Sequence, residues 1–331
     1  MRICIVGAGA IGGLIGARLA ATGMHVTSAL ARGATLAALR RHGWRLREGS
    51  EMRQASVVAS DDARVLGPQD LVVIAVKAPA LAALAPQIAP LIGAETIVLP
   101  AMNGVPWWFG PATPALADRP LDSVDPGGAI ARVIPLPHVV GCVVHASALT
   151  AEPGLTVHKM GNGLLIGEPA GGVSPRVENL RLLLEMAGFE TTASADIRRG
   201  AWYKLWGNLV MNPVSAITGA TADRILDDAL VRAFCNAAMG EAAAIGALIG
   251  CAIEQSPDDR NAVTRKLGAF KTSMLQDAEA KRPLELDAIV GAVAEIGRRL
   301  GVPTPNIDTL LGLARLFARV HGLYPDEVTG H

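Results

Sequence analysis

The sequence predicts an α/β protein in which an N-terminal, doubly wound parallel sheet precedes a C-terminal, all-helical domain. Continuous apolar strands such as LVVIAV at 71–76 indicate a parallel sheet buried on both faces, because a sheet solvated on one face would alternate polar and apolar residues. From Arg198 onward the pattern is almost entirely helical. We therefore expect two domains, at residues 1–197 and 198–331.

Strands and helices alternate along the predicted first domain. Residues 2–7 form a short apolar run, and residues 11–22 then place apolar side chains at helical spacing. A second strand at 25–30 leads into a helix at 35–43. The remaining elements are strands at 56–59, 71–76, 96–99 and 139–146, a helix at 79–92 that Pro86 and Pro90 shorten or kink, a hairpin at 155–166 and a helix at 176–186.

The second domain is predicted to contain only helices. Helical periodicity covers 199–218, 226–252 and 258–281, and two further helices begin at Pro283 and near Asn306. Pro213 cannot donate a hydrogen bond to the Leu209 carbonyl, so we expect a kink in the first of these helices.

Composition argues against an electrostatic partner. The 331 residues include 30 Lys and Arg against 30 Asp and Glu, and no basic run is longer than two residues. Nucleic acids and anionic membranes are bound through an excess or a block of basic residues, so neither is an expected partner. Half of the residues are hydrophobic, which is ample material for a folded core.

The sequence predicts neither a targeting segment nor a membrane span. Met1 is followed at once by a strand, which leaves no room for a removable signal peptide, and we expect a cytoplasmic protein. The longest apolar stretch, 230–253, is interrupted by Arg232 and Glu241 and is interpreted as a core helix. The four cysteines occur singly, as reduced core thiols do.

A glycine-rich turn connects the first strand to the first helix. Gly7 permits a tight turn, Gly9 lets a pyrophosphate approach the backbone, and Gly12 allows close packing of helix on strand. The phosphates then lie at a helix N-terminus, where free N–H groups and the helix dipole stabilise an anion. This GxGxxG therefore predicts a Rossmann-type dinucleotide site formed by Gly7, Ala8, Gly9, Ala10, Ile11 and Gly12.

The type of dinucleotide is inferred from the absence of an acidic residue at the position where NAD sites carry one. An NAD site places Asp or Glu about 20 residues beyond the glycines, where it binds the ribose 2′-hydroxyl, but the first acidic residue of this chain is Glu48. The second predicted strand instead ends near Arg32, whose guanidinium suits a 2′-phosphate. Arg40 and Arg41 are interpreted as a solvated helix face. The sequence therefore predicts NADP.

Three polar residues share one side of the first helix of the second domain. Lys204, Asn208 and Asn212 follow one another at intervals of four within an apolar, aromatic segment. Because burial without partners would cost hydration, we expect them to face a polar pocket. The alternative is a polar stripe that faces water.

Further candidates are scattered along the chain. Asn103-Gly104 and Lys77 follow predicted strands, at the sheet edge where open α/β proteins bind ligands. Ser273 and Glu285 flank a predicted helix break. In isolation, Asn-Gly is usually a turn and Glu285 only complements a helix dipole.

Taken together, these segments resemble the ketopantoate reductase family over nearly the whole chain. The resemblance is carried by GAGAIG, Lys77, Asn103-Gly104, KLWGNLVMNP at 204–213, and SMLQD with PLELD at 273–287. It implies a Rossmann-type domain, a helical domain, and reduction of an α-keto acid to a 2-hydroxy acid by NADPH in the cleft between them. By default the keto acid is 2-dehydropantoate, an intermediate of pantothenate biosynthesis.

The resemblance also implies a role for each candidate. Lys204 becomes the proton donor to the ketone oxygen, since an ammonium can stabilise the developing charge and then release a proton. Asn208, Asn212 and Ser273 are implied to hold the substrate, and Asn103 to contact both substrate and cofactor. The other residues implied to contact the cofactor are Arg32 and Lys77 at its phosphate and ribose, Ser147 through its backbone, and Glu285 at the nicotinamide-side ribose.

The chain departs from the family pattern near the substrate. Phe270 and Ala222 stand where many members carry asparagine. Trp107-Trp108-Phe109 follows the Asn-Gly turn, either as a hydrophobic contact between domains or as an apolar wall for a bulkier keto acid. The substrate class expected is a small-molecule 2-keto acid, and its identity is the least determined part of the prediction.

Two other functions are consistent with the same motifs. A related 3-hydroxyacid dehydrogenase usually spaces its lysine and asparagine by three residues, whereas Lys204 and Asn208 are four apart. A dinucleotide-sensing protein would bind NADPH without turnover. His145 and His158 are weaker candidates for the acid, and the reaction requires no metal. The oligomeric state stays open, with a homodimer through an exposed helical surface as one alternative.

Overall fold

The computed structural model describes residues 1–326, and every strand in it precedes residue 194. The strands are β1 (Arg2–Val6), β2 (Val26–Leu30), β3 (Trp44–Glu48), β4 (Glu51–Ala55), β5 (Val58–Ser60), β6 (Gln69–Ile74), β7 (Ile92–Pro100), β8 (Gly141–Glu152), β9 (Leu155–Gly167) and β10 (Glu190–Ala193). The α-helices are α1 (Ala10–Ala21), α2 (Gly33–His42), α3 (Ala63–Leu66), α4 (Ala78–Ile88), α5 (Ala129–Val133), α6 (Pro175–Met186), α7 (Ile197–Thr218), α8 (Ala222–Asp227), α9 (Ala229–Leu248), α10 (Pro257–Arg265), α11 (Ser273–Glu279), α12 (Ala292–Leu300) and α13 (Pro305–Val320). Short 3₁₀ turns cover Ala89–Leu91, Pro114–Leu116, Pro126–Gly128 and Leu136–His138, and Asp287–Gly291 is π-helical.

The first sheet is parallel and has the order β5-β2-β1-β6-β7. Residues 3–6 of β1 and 71–74 of β6 have no exposed area, so the apolar runs are buried on both faces as predicted. Because the strands are parallel, the glycine turn after β1, Arg32 after β2, Lys77 after β6 and Asn103 after β7 all lie toward the same edge of the sheet.

A second sheet, of order β10-β9-β3-β4 with β8 paired to β9, lies beside the first. The sequence analysis missed the hairpin β3–β4, because β4 is almost entirely exposed and its sequence EMRQA has no apolar alternation. The predicted hairpin at 155–166 is wrong. That segment is the single strand β9, which pairs antiparallel with β8 around a turn at residues 153–154.

After β10 the described chain is helical, and the fold class is confirmed. The predicted helix at 258–281 is divided into α10 and α11, with Gly268, at φ +62°, in the non-helical stretch between them. The predicted helix at 226–252 corresponds to α9, which Asp228 caps, and the short helix α8 before it was not predicted. The helix expected at Pro283 instead begins near Leu286, whereas α7 continues through Pro213. The predicted second domain extends to residue 331, and its residues 327–331 lie outside the described residues.

The tryptophan-rich segment packs the sheet half against the helical half. Trp107, Trp108 and Phe109 are buried, and the Phe109 ring stacks on Trp202 of α7 with centroids 5.9 Å apart. Aromatic pairs at this separation add to the free energy gained by burial. The segment therefore provides the hydrophobic contact between the two halves rather than a wall of the cleft.

None of the helices within residues 1–326 has both the length and the apolar character that a bilayer span requires.

Candidate active site

Of the three glycines in the turn, Gly9 is the one with open space beside its backbone. Gly7 adopts φ +91°, and a Cβ there would lie 2.9 Å from the Ala75 carbonyl oxygen. A Cβ on Gly12 would overlap the Gly7 carbonyl oxygen, which explains the close packing of α1. No atom lies within 4 Å of a Cβ placed on Gly9, so the backbone there is open to approach.

Among the described residues, no side chain caps the N–H groups at the N-terminus of α1. Gly9 is the N-cap residue, no side chain caps the helix, and its first turn contains no acid. Unpaired N–H groups and the positive end of the helix dipole favour an anion at this position. The turn therefore fits the pyrophosphate of a dinucleotide.

Arg32 lies two residues beyond the end of β2, at the edge of the sheet that carries the glycine turn. It is exposed and forms the N-cap of α2. Glu48, the first acid of the chain, is the last residue of β3 and accepts hydrogen bonds from Arg18 at 2.5 and 3.1 Å. Arg40 donates to the Ala59 carbonyl and thus has another partner.

Lys204 reaches from α7 to the edge of the sheet domain. Its Nζ donates to Asn103 Oδ1 at 2.8 Å and to the Val144 carbonyl at 2.7 Å, so one bond is made to each of two segments of the first half. Lys204 and Asn103 line a narrow cleft together with Asn208 and Gly104. The polar stripe of α7 thus faces a site and not bulk water at this point.

Burial lowers the pKa of Lys204 to about 8, from an ordinary value of 10.5. The nearby Cys142 and Glu285 oppose this shift. A lysine with a pKa near neutrality can both hold a proton and release it, as a general acid must.

The Asn103 turn is fixed by contact with the helical half. Gly104 adopts φ +82°, and a Cβ there would lie 2.7 Å from the Ala288 carbonyl oxygen. The next residue, Val105, donates its N–H to that same oxygen at 2.7 Å. A turn that only glycine permits therefore orients Asn103 toward Lys204.

Asn212 and Ser273 do not line the cleft with Lys204 and Asn208. Asn212 is buried, and its Nδ2 has no hydrogen-bond partner among the described residues. Ser273 is exposed at the start of α11, a helix that packs on α7. A buried amide donor without a partner is costly, which makes Asn212 a candidate for binding a group that the protein does not itself supply.

The Lys77 side chain forms ion pairs with two carboxylates of the helical half. Its Nζ donates to Asp277 Oδ2 at 2.5 Å and to Glu285 Oε2 at 2.9 Å, and the backbone N–H of Ala78 donates to Glu285 Oε1 at 3.0 Å. Partial burial would lower the pKa of Lys77, but the two carboxylates outweigh it and raise that pKa. These bonds tie the β6 edge to the segment that carries Glu285.

Asp277 is the residue of this cluster that the sequence analysis missed. It is buried and also accepts a hydrogen bond from Arg282 Nε at 2.9 Å. It belongs to SMLQD, one of the two specific motifs, but nothing in the local sequence links it to Lys77, 200 residues away.

Ser147 and the two histidines occupy β8 and β9. Ser147 is partly buried at an irregularity in the β8–β9 register. Partial burial, followed by the charges of Lys204 and Arg260, lowers the pKa of His145. His158 contacts the Gly161 carbonyl oxygen at 2.7 Å, outside the cleft.

The two positions that depart from the family pattern are adjacent in space. The backbone N–H of Ala222 donates to the Phe270 carbonyl at 3.0 Å. Within the described residues, no group of three or more His, Cys, Asp or Glu side chains could hold a metal ion.

A dinucleotide-type glycine turn on a parallel sheet, faced by a lysine from a helical domain, defines an oxidoreductase of the two-domain Rossmann-like class. The chain belongs to the ketopantoate reductase family. The model described as "Ketopantoate reductase PanE/ApbA" matches residues 3–171, and the model of its C-terminal domain matches residues 196–318.

Individual relatives agree with this assignment. The chain is 45% identical to the 2-dehydropantoate 2-reductase of Mesorhizobium japonicum, over 98% of this chain and 100% of the relative. A crystal structure named as a candidate ketopantoate reductase, from Ralstonia solanacearum MolK2, is 57% identical, with a TM-score of 0.94 over 98% of this chain and 99% of that one. A dimeric ketopantoate reductase from Staphylococcus aureus shares the fold at 20% identity, with a TM-score of 0.73 over 98% and 100% of the two chains.

Proposed function

We propose that this protein uses NADPH to reduce a 2-keto acid to the 2-hydroxy acid, with 2-dehydropantoate as the default substrate and pantoate as the product. On this proposal the protein serves pantothenate biosynthesis. The observation that carries the proposal is the position of Lys204, whose ammonium is held by Asn103 and Val144 at the cleft that Asn208 also lines.

In the proposed reaction Lys204 is the general acid. Its two acceptors hold the ammonium at the edge of the sheet domain, and the third N–H is available to the ketone oxygen of a substrate in the cleft. When bound, NADPH supplies the hydride that reduces the keto carbon. Lys204 then stabilises the charge that develops on oxygen and transfers its proton there, a role that typically contributes ~10² to 10⁴ in rate.

The residues of the glycine turn and of the facing edge suit the cofactor. We propose that the N-terminus of α1 binds the pyrophosphate through Gly7, Ala8, Gly9, Ala10, Ile11 and Gly12. Arg32 binds the 2′-phosphate. Lys77, Ser147 and Glu285 contact the rest of the nucleotide, and the bonds between Lys77 and Glu285 bring these two groups to one place.

We further propose that Asn208, Asn212 and Ser273 bind the substrate, and that Asn103 contacts both substrate and cofactor. The unpartnered Nδ2 of Asn212 supports this role, because a bound carboxylate or hydroxyl would satisfy it. The functional division of the chain is then at residues 197 and 198, just where α7 begins.

The decisive experiment measures loss of NADPH absorbance against a panel of 2-keto acids that includes 2-dehydropantoate. We expect turnover with 2-dehydropantoate or with a bulkier 2-keto acid. Tight NADPH binding without oxidation by any member of the panel would contradict the proposal and indicate a sensor. Turnover of 3-keto acids alone would indicate the related dehydrogenase.

The pH dependence of the reaction should follow the lowered pKa of Lys204. The protonated form donates, so kcat/KM for reduction should be constant at low pH and fall tenfold per pH unit above about pH 8. The reverse oxidation should rise over the same range. A break near pH 10.5, the ordinary value for lysine, would contradict the burial of this ammonium.

Arg32→Ala should discriminate between the two nicotinamide cofactors. Loss of a charge-assisted hydrogen bond to the 2′-phosphate should raise KM for NADPH by about 10- to 100-fold and change KM for NADH by less than about threefold. Arg41→Ala, an exposed arginine at the end of α2, is the matched control and should change neither constant. Equal losses for both cofactors would mean that another residue reads the phosphate.

A further inference from the structure

One arginine beside α7, Arg260, has a guanidinium with no acceptor in the part of the chain that the structure describes. Within residues 1–326, four arginines have a buried Nε without a hydrogen-bond partner, but three of them bond acceptors through their other nitrogens. These three are Arg45 with Glu152, Arg198 with Asp196 and Arg315 with Asp287. For Arg260 the described residues provide no acceptor to the guanidinium at all, only the ring of Tyr203. A partly buried guanidinium without an acceptor loses hydrogen bonds to water, and no protein hydrogen bond replaces them.

The position of this guanidinium is set by α7. Its central carbon lies 5.2 Å from the centroid of the Tyr203 ring. A Cβ on Gly207 would be 2.9 Å from Arg260 Nη2 and 3.0 Å from Nε, so the guanidinium occupies the space that a side chain would fill. Residues three apart on a helix are neighbours, which places Gly207 next to Lys204.

The charge of Arg260 also influences His145 of β8. His145 follows Val144, whose carbonyl accepts from Lys204, and both Lys204 and Arg260 are among the causes that lower the pKa of His145. The two cations therefore lie within electrostatic range of one side chain of β8. Arg260 is not among the residues that line the cleft of Lys204 and Asn208, but its guanidinium lies against Gly207, about one helical turn from Lys204.

We propose that Arg260 binds a carboxylate of the substrate and so determines which keto acids are accepted, an inference that rests on the proposed function. A guanidinium binds a carboxylate through two parallel N–H donors. The guanidinium lies over the Tyr203 ring, and the Tyr203 hydroxyl donates a hydrogen bond to Gln255 Oε1 at 2.7 Å.

The carboxylate is either the one beside the ketone or a second one at the far end of the substrate. Every 2-keto acid carries the first, whereas only diacids carry the second. Two probes that need no turnover separate these sources: oxamate, whose one carboxylate adjoins a carbonyl, and 2-hydroxyglutarate, which adds a distal carboxylate.

The experiment compares Arg260→Gln with Arg260→Lys and with the control Arg265→Gln. Arg265 is on the same helix, but it pairs with Asp227 at 2.7 Å. Calorimetry measures the binding of both probes to the protein with NADPH, which can reduce neither of them, and steady-state kinetics gives KM and kcat for 2-keto monoacids and diacids.

We expect Arg260→Gln to raise the dissociation constant of one or both probes by about 10- to 100-fold, because a charge-assisted hydrogen bond is lost. For the same reason, KM for the matching keto acids should rise by a similar factor. The value of kcat and the melting temperature should stay close to those of the wild type, and Arg260→Lys should restore part of the affinity. Weaker binding of both probes would show that Arg260 binds the carboxylate beside the ketone. Weaker binding of 2-hydroxyglutarate alone would show that it binds the distal carboxylate.

Equal binding of both probes by Arg260→Gln and the wild type would overturn the inference, as would a wild type that binds neither probe. Loss of stability without a change in KM would reduce Arg260 to a packing residue. A wild type that binds the probes through Arg260 but turns over no keto acid would contradict the proposed function alone.

Discussion

Lys204→Ala should lower kcat by about 10²- to 10⁴-fold, because it removes the group that stabilises and protonates the developing alkoxide. The substitution deletes bonds to Asn103 and Val144 but leaves the glycine turn untouched. The dissociation constant for NADPH, measured by fluorescence titration, should therefore stay within a few-fold of the wild type. Stopped-flow absorbance then shows whether the slow step is chemical.

Two further variants test whether the loss of turnover in Lys204→Ala is due to the missing proton donor. Lys204→Arg keeps the charge but cannot donate a proton near neutral pH, so its activity should be low and should show no break near pH 8. Arg199→Ala removes an exposed cation from the same helix and should retain full turnover. Unchanged turnover in Lys204→Ala would remove this residue from the mechanism and leave the proposed reduction without an acid.

Gly12→Ala should strongly weaken NADPH binding and destabilise the fold. Alanine is normally the better helix former by about 1 kcal/mol, but here its Cβ would overlap the Gly7 carbonyl oxygen and lie 3.1 Å from the Ala75 Cβ. Both contacts are with the strand edge that supports the turn, so α1 must move. We expect about 1–3 kcal/mol lower stability and a loss of NADPH affinity on the order of 100-fold.

Gly9→Ala is the matched control, because the added Cβ meets no atom within 4 Å. Its melting temperature should equal that of the wild type, while the methyl group occupies the space through which the pyrophosphate approaches and weakens NADPH. Calorimetry and a thermal melt measure both effects. Equal NADPH affinity in Gly9→Ala and the wild type would show that the phosphates lie elsewhere.

The two halves of the site differ in how far the sequence could predict them. The glycine turn is a local feature, since a strand, six residues and a helix suffice to define it, and the structure keeps all three. The stripe of Lys204 and Asn208 follows from helical periodicity alone. The helix break near Gly268 was missed, because apolar periodicity on both sides of it is compatible with one longer helix.

What the sequence by itself determined is the fold class, the family resemblance and the side of α7 that carries its polar groups, because these depend on residues close together in the chain. Only the tertiary structure decided that Lys77 meets Asp277 and Glu285, 200 and 208 residues away, and that Arg260 has no acceptor among residues 1–326. Such pairings depend on how the two halves pack, through the Gly104 turn and the aromatic contact of Phe109, and spacing along one chain does not contain that information.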